Sequence, residues 1–105
     1  MRILEFNVEQ QRLRKAKDCD FSHIAAGTVG YLKAHFTFSP DWSGCKKAAS
    51  FWVGDQESAV LLDENNSCII PDEVLTNEKF AVSVMGVRDD YQITSTKIKV
   101  KQEVY

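Results

Sequence analysis

The sequence predicts an all-β protein that folds as an antiparallel β-sandwich or small barrel of about seven to nine short strands. Apolar and polar residues alternate with a period of two in many segments, as in strands with one buried face. Turn signals rich in Gly, Pro, Asn and Asp separate these segments at intervals of about 8 to 12 residues. Helical periodicity is almost absent. The 105 residues suit one domain, which we place over residues 1–105.

The first part of the chain contains four predicted extended segments, at 3–8, around Leu13, at 21–24 and at 31–38. The last of these shows the clearest alternation. Its inward side is predicted to consist of Leu32, Ala34, Phe36 and Phe38, and its solvent or partner side of Tyr31, Lys33, His35 and Thr37. Gly27 and Gly30 lie in the small-residue connection before it, where they permit a positive φ.

The second part of the chain contains further predicted strands at 46–53, 59–62, 67–70, 79–87, 91–94 and 96–101. In the strand at 46–53 we assign Phe51 inward and Trp52 outward, and Phe80 begins the inward side of the strand at 79–87. The polar residues 63–66 predict the tip of a hairpin. Residues 71–75 predict one short helical turn, because Pro71 suits the first position of a helix and acidic residues follow it.

The stretch FTFSPDWSG, residues 36–44, combines a strand with a tryptophan-bearing turn. The chain can turn at Pro40 so that Trp42 folds over the open end of the sandwich, with Gly44 accommodating the return. We therefore predict a structural role for Trp42, with a binding platform as the alternative. Burial of such a large aromatic side chain is a substantial contribution to the stability of a small domain.

The charge balance gives no footprint for nucleic-acid binding, since the formal net charge is -2. The basic cluster Arg12, Arg14, Lys15 and Lys17 is interpreted as a solvated loop, with a polyanion site as the alternative. Polar residues interrupt every apolar run at the amino terminus, which predicts neither a signal peptide nor insertion into a membrane.

The three cysteines, Cys19, Cys45 and Cys68, are widely spaced and form no CxxC pair. This pattern suggests neither a zinc site nor a disulfide framework, so we expect free thiols. His23 and His35 have no second ligand at metal spacing. Residues 63–66 lack the alternating ligands and the glycine of a calcium loop. We expect no metal ion and no cofactor.

Catalytic motifs are not apparent. Around the serines and cysteines there is no nucleophile-elbow glycine pattern, and Gly27 and Gly30 are followed by no phosphate-binding helix. We expect a protein that is not an enzyme and has no catalytic residue. Exposed aromatic rings are the remaining candidates for function, because they give a large contact area at low entropic cost. Tyr31, Trp52 and Tyr91, with His35, are the predicted contacts to a partner protein or a glycan, the alternative being isolated exposed rings without a role.

The chain resembles a small β-sandwich domain of tail, baseplate and minor structural proteins from phages and prophages of Gram-positive bacteria. The similar residues are an opening at Gln10, Gln11, Leu13 and Arg14, then YLxAxFTFSxDWSGxKxA at 31–48, Leu62 and Asp63, CIIPxEVL at 68–75, FxVSVxG at 80–86, and Ile93 and Thr94, where x marks an unmatched position. They extend over most of the chain. Asp72 departs from the family pattern, in which an aromatic residue often follows the proline.

The resemblance implies an immunoglobulin-like β-sandwich that serves as a non-enzymatic virion module in tail or baseplate assembly or in host attachment. Its expected partners are other tail or baseplate proteins and further copies of itself, and its expected location is the virion after synthesis in the host cytoplasm. Because the chain ends soon after its last predicted strand, we expect it to dock alone, or to be a fragment or a prophage remnant. Two alternatives remain, a module that binds host cell-wall glycan and a prophage-encoded inhibitor of a host protein. The residues assigned to the core and turns are Phe36, Phe38, Trp42, Gly44, Phe51, Pro71 and Phe80.

Overall fold

The computed structural model describes residues 1–76 and 78–103, which form two β-sheets packed face to face. The nine strands of the described residues are β1 (Arg2–Glu9), β2 (Arg12–Lys15), β3 (Leu32–Phe38), β4 (Lys46–Val53), β5 (Gln56–Leu61), β6 (Ser67–Ile69), β7 (Lys79–Arg88), β8 (Tyr91–Thr94) and β9 (Ile98–Lys101). The prediction of an all-β sandwich is confirmed. The expected helical turn is present as a 3-10 turn at Asp72–Val74, which Pro71 precedes. A second 3-10 turn at Pro40–Trp42 carries the tryptophan.

The four-stranded sheet has the order β2-β1-β3-β6, and the five-stranded sheet has the order β5-β4-β7-β8, with β9 also paired to β7. One strand pair departs from the antiparallel prediction. Strands β1 and β3 run parallel, from Arg2 opposite Leu32 to Val8 opposite Phe38. Parallel neighbours need a long connection between them. Strand β2 and the irregular segment 16–31 provide that connection.

The segment at 21–24 was predicted to be a strand, and this prediction is wrong. His23 has a φ of 54°, which interrupts an extended backbone. The carbonyl oxygens of Asp20, Ser22 and His23 all accept hydrogen bonds from the guanidinium of Arg2, at 2.6 to 3.0 Å. Because that side chain occupies the carbonyl groups, the segment is held against β1 without forming a ladder of its own.

The predicted hairpin at 63–66 is also wrong. Strands β5 and β6 belong to different sheets, so this turn carries the chain across the sandwich. The Asp63 carboxylate stabilises the turn by accepting hydrogen bonds from the backbone N–H groups of Asn65 and Ser67, at 2.9 and 3.0 Å. Asn66 has a φ of 60°, a conformation that asparagine tolerates better than most residues.

The core consists of the inward-facing residues of both sheets. Phe6 and Phe36 are fully buried and lie opposite each other in the parallel pair, with ring centroids 5.1 Å apart. Phe51 and Phe80 are buried on the facing sheet, with centroids 6.2 Å apart. The alternation in sequence therefore predicts the inward side of each of these strands.

Trp42 is fully buried at one end of the sandwich, where the sequence placed it. Its indole Nε1 donates a hydrogen bond of 2.7 Å to the carbonyl of Gln10, and its ring lies 5.0 Å from that of the half-buried Phe38. Gly44 has a φ of 76°, which is the conformation needed for the chain to return towards β4. On the facing sheet, a Cβ atom at Gly86 would lie 2.9 Å from Cε3 of Trp42. The indole therefore packs directly against the backbone of β7 at Gly86.

Strands β8 and β9 lie one after the other along β7, and the register slips by one residue between them. This slip is the signature of a β-bulge, here at residues 96–97. The bulge turns Thr96 towards the other sheet. Its N–H donates to the carbonyl of Gln11 at 2.8 Å, and its Oγ1 accepts a hydrogen bond of 3.3 Å from the N–H of Leu13. The edges of the two sheets are thus linked on this side.

Replacing Gly86 with alanine is expected to lower the free energy of unfolding by about 1–3 kcal/mol, because the new methyl group overlaps the indole of Trp42. Urea denaturation of the two proteins measures the difference. In a Trp42→Leu background the same substitution should have a smaller effect. An equal loss in both backgrounds would contradict the proposed contact.

Candidate functional site

The four predicted contact residues are distributed over different parts of the surface. Tyr31 precedes β3 in the four-stranded sheet, and His35 lies on the outer side of that same sheet. Trp52 lies on the outer side of the five-stranded sheet, opposite Ala81 of β7. Tyr91 begins β8 at another point of that sheet.

Trp52 and Tyr91 are well separated. Tyr91 is opposite Arg88, which is seven residues from Ala81 along β7, a distance of about 23 Å in a strand. The Tyr91 hydroxyl donates to the carbonyl of Asp41 at 3.0 Å, and the Arg88 guanidinium lies 4.7 Å from the centroid of the Tyr91 ring. Tyr91 therefore packs beside the turn that carries Trp42. The rings of Tyr31, Trp52 and Tyr91 therefore do not form one shared surface.

Trp52 is half-buried, and two contacts fix its indole. Nε1 donates to the hydroxyl of Ser83 at 3.1 Å, and the Lys97 ammonium lies 3.6 Å from the ring centroid. A cation at this position is attracted by the electrons of the ring. The ring face that Lys97 covers is therefore occupied by a side chain of the same chain.

The outer side of the four-stranded sheet is polar around Glu5 and His35, whereas Ile3 and Ile69, the cross-strand neighbours of Lys33, are exposed there by 48% and 42%. His35 Nδ1 is hydrogen bonded to the carboxylate of Glu5, its neighbour across the parallel pair. The other outward residues near this pair are Asn7, Lys33 and Thr37. A surface that is rich in charged and hydrogen-bonding groups is well solvated, so its burial against a partner is costly unless every group is paired.

The outer side of the five-stranded sheet carries a group of neighbouring residues whose own side chains are uncharged. The carboxylate of Glu57 reaches one of them, since it accepts a hydrogen bond of 2.5 Å from the Ser50 hydroxyl. We name this surface the uncharged face and define it by Ala48, Ser50, Ala59, Leu61, Ser83, Met85 and Val87. Ala48 lies between Leu61 and Met85, and Ser50 lies between Ala59 and Ser83. The three large side chains are solvent-exposed, Leu61 by 76%, Val87 by 42% and Met85 by 39%.

The sequence produces this face through the same alternation that builds the core. In β4 the inward residues Ala49 and Phe51 alternate with Ala48 and Ser50, whose short side chains leave the sheet flat on the outside. Charged residues lie at the rim of the face, where Lys46 is opposite Val87 and Glu57 is opposite Trp52. Three strands spaced about 4.8 Å apart make a floor about 15 Å wide.

An apolar surface with a polar rim is typical of protein–protein contact sites. The contact residues predicted from the sequence do not include Leu61, Met85 and Val87. The signal was present, since the outward positions at 48, 50, 81, 83 and 85 are all uncharged. Their significance depends on β4 and β7 being neighbours, which sequence spacing does not reveal.

The basic cluster is placed differently from its interpretation as a loop. Arg12, Arg14 and Lys15 lie on strand β2, at the edge of the four-stranded sheet. A solvent-open groove of about 840 Å³ separates this edge from β9, and its lining includes Lys99 and Ile98. Arg14 forms an exposed ion pair with Glu9 at 3.3 Å. Exposed pairs of this kind contribute little to stability.

All three cysteines carry free thiols, as predicted. Cys19 is half-buried, and its Sγ accepts a hydrogen bond of 3.3 Å from the backbone N–H of Glu5. Burial raises the pKa of the Cys68 thiol to about 12, the negative charge of Asp63 acts in the same direction, and Lys33 opposes both. A thiol that stays protonated is a poor nucleophile and a poor metal ligand.

Among residues 1–76 and 78–103, no group of three His, Cys, Asp or Glu side chains lies close enough together to hold a metal ion. The same residues contain no helix of the length and apolarity needed to cross a membrane. No family model matches this chain, and no curated protein matches its sequence.

The stability of the protein is expected to decrease as the pH rises above about 9, in part through Cys68. The unfolded chain releases the Cys68 proton near the ordinary pKa of 9.0, whereas the folded chain keeps it up to about 12. Between these values the folded state binds more protons, so increasing pH favours unfolding. Between pH 8 and pH 10 the Cys68→Ala variant should lose about 1 kcal/mol less free energy of unfolding than the wild type.

Urea denaturation under reducing conditions measures this difference, and Cys19→Ala is the matched control because Cys19 is only half-buried. The control should follow the wild type. If Cys68→Ala shows the same pH dependence as the wild type, the assignment to Cys68 is incorrect.

Proposed function

We propose that this protein is a protein–protein interaction module that binds its partner through the uncharged face. The observation that carries the proposal is the exposure of Leu61, Met85 and Val87 beside outward residues whose own side chains are uncharged. Contiguous exposed apolar surface is unfavourable in water and is rare on monomeric proteins. A partner that covers it gains the free energy of removing this surface from water.

The shape of the face supports a protein partner. Ala48, Ser50 and Ser83 form a shallow floor between the larger Leu61 and Met85. Such a floor fits the side chains of another sheet or of a helix, because their ridges can reach the backbone between the larger residues. The rim charges of Lys46 and Glu57 can orient the partner while remaining hydrated.

The setting that we propose is the assembly of a phage or prophage tail or baseplate, with other tail proteins and further copies of this chain as partners. The residues that resemble that family are largely those that build the sandwich. They include Phe36, Trp42, Phe80 and Gly86, all of which are buried. The resemblance therefore supports the kind of building block, and the uncharged face supports the way in which it binds.

A protein partner is favoured over a glycan. Sugar binding commonly uses an aromatic ring as a stacking surface. The indole of Trp52 is covered by Lys97 at 3.6 Å, while Tyr91 packs against Arg88. Stacking of a sugar on the face of Trp52 that Lys97 covers would require Lys97 to leave the ring.

Met85→Glu is expected to reduce partner binding by at least about tenfold, because it places a charge in the middle of a surface that the partner dehydrates. Tagged wild-type and variant proteins are incubated with extracts of cells that produce the chain, and retained proteins are quantified by mass spectrometry. Thr37→Glu is the matched control, since Thr37 is an exposed strand residue on the outer side of the other sheet.

The proposal predicts a protein that is retained by the wild type and by Thr37→Glu and lost with Met85→Glu. Both variants should unfold at urea concentrations close to that of the wild type, since exposed substitutions have small effects on stability. A partner retained equally by all three proteins would contradict a role for the uncharged face.

The tail setting has a separate test. If the chain is part of a tail or baseplate, mass spectrometry of purified phage particles should detect it in a fixed ratio to the other tail proteins. Its absence from particles whose remaining tail proteins are all detected would contradict the setting, and the binding mode of the uncharged face would be unaffected.

A further inference from the structure

The strand edges of the two sheets are protected to different degrees. An exposed edge can pair with another chain, and proteins limit this with short strands, lysines, prolines or bulges. Strand β6 has only three residues and β8 only four, β2 carries Arg12, Arg14 and Lys15, and β9 carries Lys99 and Lys101 after a bulge. Strand β5 has six residues, Gln56–Leu61, with Glu57 as its one charged residue and no proline. It is the least protected edge among the described residues.

The unpaired backbone groups of β5 can be identified from its register. Leu62 donates its N–H to the carbonyl of Lys47 at 2.9 Å, which marks this pair as hydrogen bonded. In an antiparallel ladder hydrogen-bonded and non-hydrogen-bonded pairs alternate. The N–H and C=O groups of Glu57, Ala59 and Leu61 therefore point away from β4, towards solvent.

We infer that β5 is the dimerisation edge of this protein, and that it pairs antiparallel with β5 of a second copy around a two-fold axis at Ala59. This inference rests on the proposed function and names one of its partners. In this register Glu57 lies opposite Leu61 of the partner subunit, and Ala59 lies opposite Ala59 of the partner subunit. Three residues from each strand then form about six main-chain hydrogen bonds across the axis.

The side chains of β5 favour a second copy as the occupant. A two-fold axis places the same residue of both strands at its centre, and the small Ala59 allows the backbones to approach. The two Glu57 carboxylates do not face each other, because each lies opposite a leucine. Leu61, which is 76% exposed in the single chain, gains the aliphatic part of the partner's Glu57 as a neighbour.

The outer surface gives a second reason. Ala59 and Leu61 belong to the uncharged face, so the pairing of two β5 strands joins two such faces into one continuous surface. The interface of a strand pair is small, but its main-chain hydrogen bonds fix the register. The dimer would offer a partner about twice the uncharged area of one chain.

Disulfide trapping tests the register. Ala59→Cys in a Cys19→Ser background is expected to form a covalent dimer on mild oxidation, because paired residues at the axis lie about 5.5 Å apart, within the range that a disulfide spans. Glu57→Cys and Gln92→Cys in the same background are the controls. Glu57 is displaced from the axis, and Gln92 lies on β8 at the opposite side of the sheet. Efficient trapping at Ala59 alone supports the inference, whereas equal trapping at all three positions overturns it.

Sedimentation equilibrium tests the association without a disulfide. The wild type is expected to be a dimer, and Ala59→Pro a monomer, because proline removes an N–H group that the inference assigns to the partner and none that pairs with β4. Ala59→Lys is a second variant that leaves the backbone unchanged and places like charges together at the axis. It should raise the dimer dissociation constant at least about tenfold. Circular dichroism checks that both variants keep the β-rich fold.

The outcomes separate this inference from the proposed function. Met85 lies on β7, two strands from β5, so Met85→Glu should lose the heterologous partner and remain a dimer. A wild type that is monomeric at several hundred micromolar, with partner binding that still depends on Met85, overturns the dimer and leaves the uncharged face as a binding site. A monomer whose partner binding is lost with Ala59→Pro assigns β5 to a different polypeptide, and this also overturns the inference.

Discussion

The side chain of Trp42 connects three parts of the chain that are distant in sequence. It follows β3 of the four-stranded sheet, donates a hydrogen bond to Gln10 in the turn between β1 and β2, and rests on Gly86 of the five-stranded sheet. Two sheets that face each other can slide or separate unless side chains interlock between them. The buried indole of Trp42, packed against the backbone of Gly86, fixes the spacing of the two sheets at the end where Trp42 lies.

The sequence predicts the parts of this fold that depend on local alternation. The inward sides of β1, β3, β4 and β7, the outward assignment of Trp52 and the position of Trp42 all follow from a period of two and a recognisable turn. Pairing between distant strands could not be predicted in this way. The parallel pair of β1 and β3 and the crossing of the chain at residues 63–66 are set by long-range packing, which leaves no trace in spacing along the chain.

The candidate site shows the same limit. When each strand is considered alone, the outward residues of β4 and β7 are predicted to be ordinary solvent-exposed residues. Their lack of charge becomes informative only when Ala48 is placed between Leu61 and Met85. The rings of Trp52 and Tyr91 do not share a surface, because their strands meet β7 at positions seven residues apart. The two outer surfaces of the sandwich differ in chemistry: one is polar around Glu5 and His35, and the other exposes Leu61, Met85 and Val87.

The β-bulge at residues 96–97 sets which side chains of the last strand enter the core. In β8 the odd-numbered Ile93 faces inward, whereas in β9 the even-numbered Ile98 and Val100 do so. A regular ladder without the additional residue would keep the odd phase and direct Lys97, Lys99 and Lys101 between the sheets, with the isoleucine and the valine in water. The one additional residue in the bulge therefore keeps the ammonium groups of Lys97, Lys99 and Lys101 on the hydrated side of the sheet. Deletion of one residue from the bulge would turn the lysines of β9 towards the core and its isoleucine and valine towards solvent.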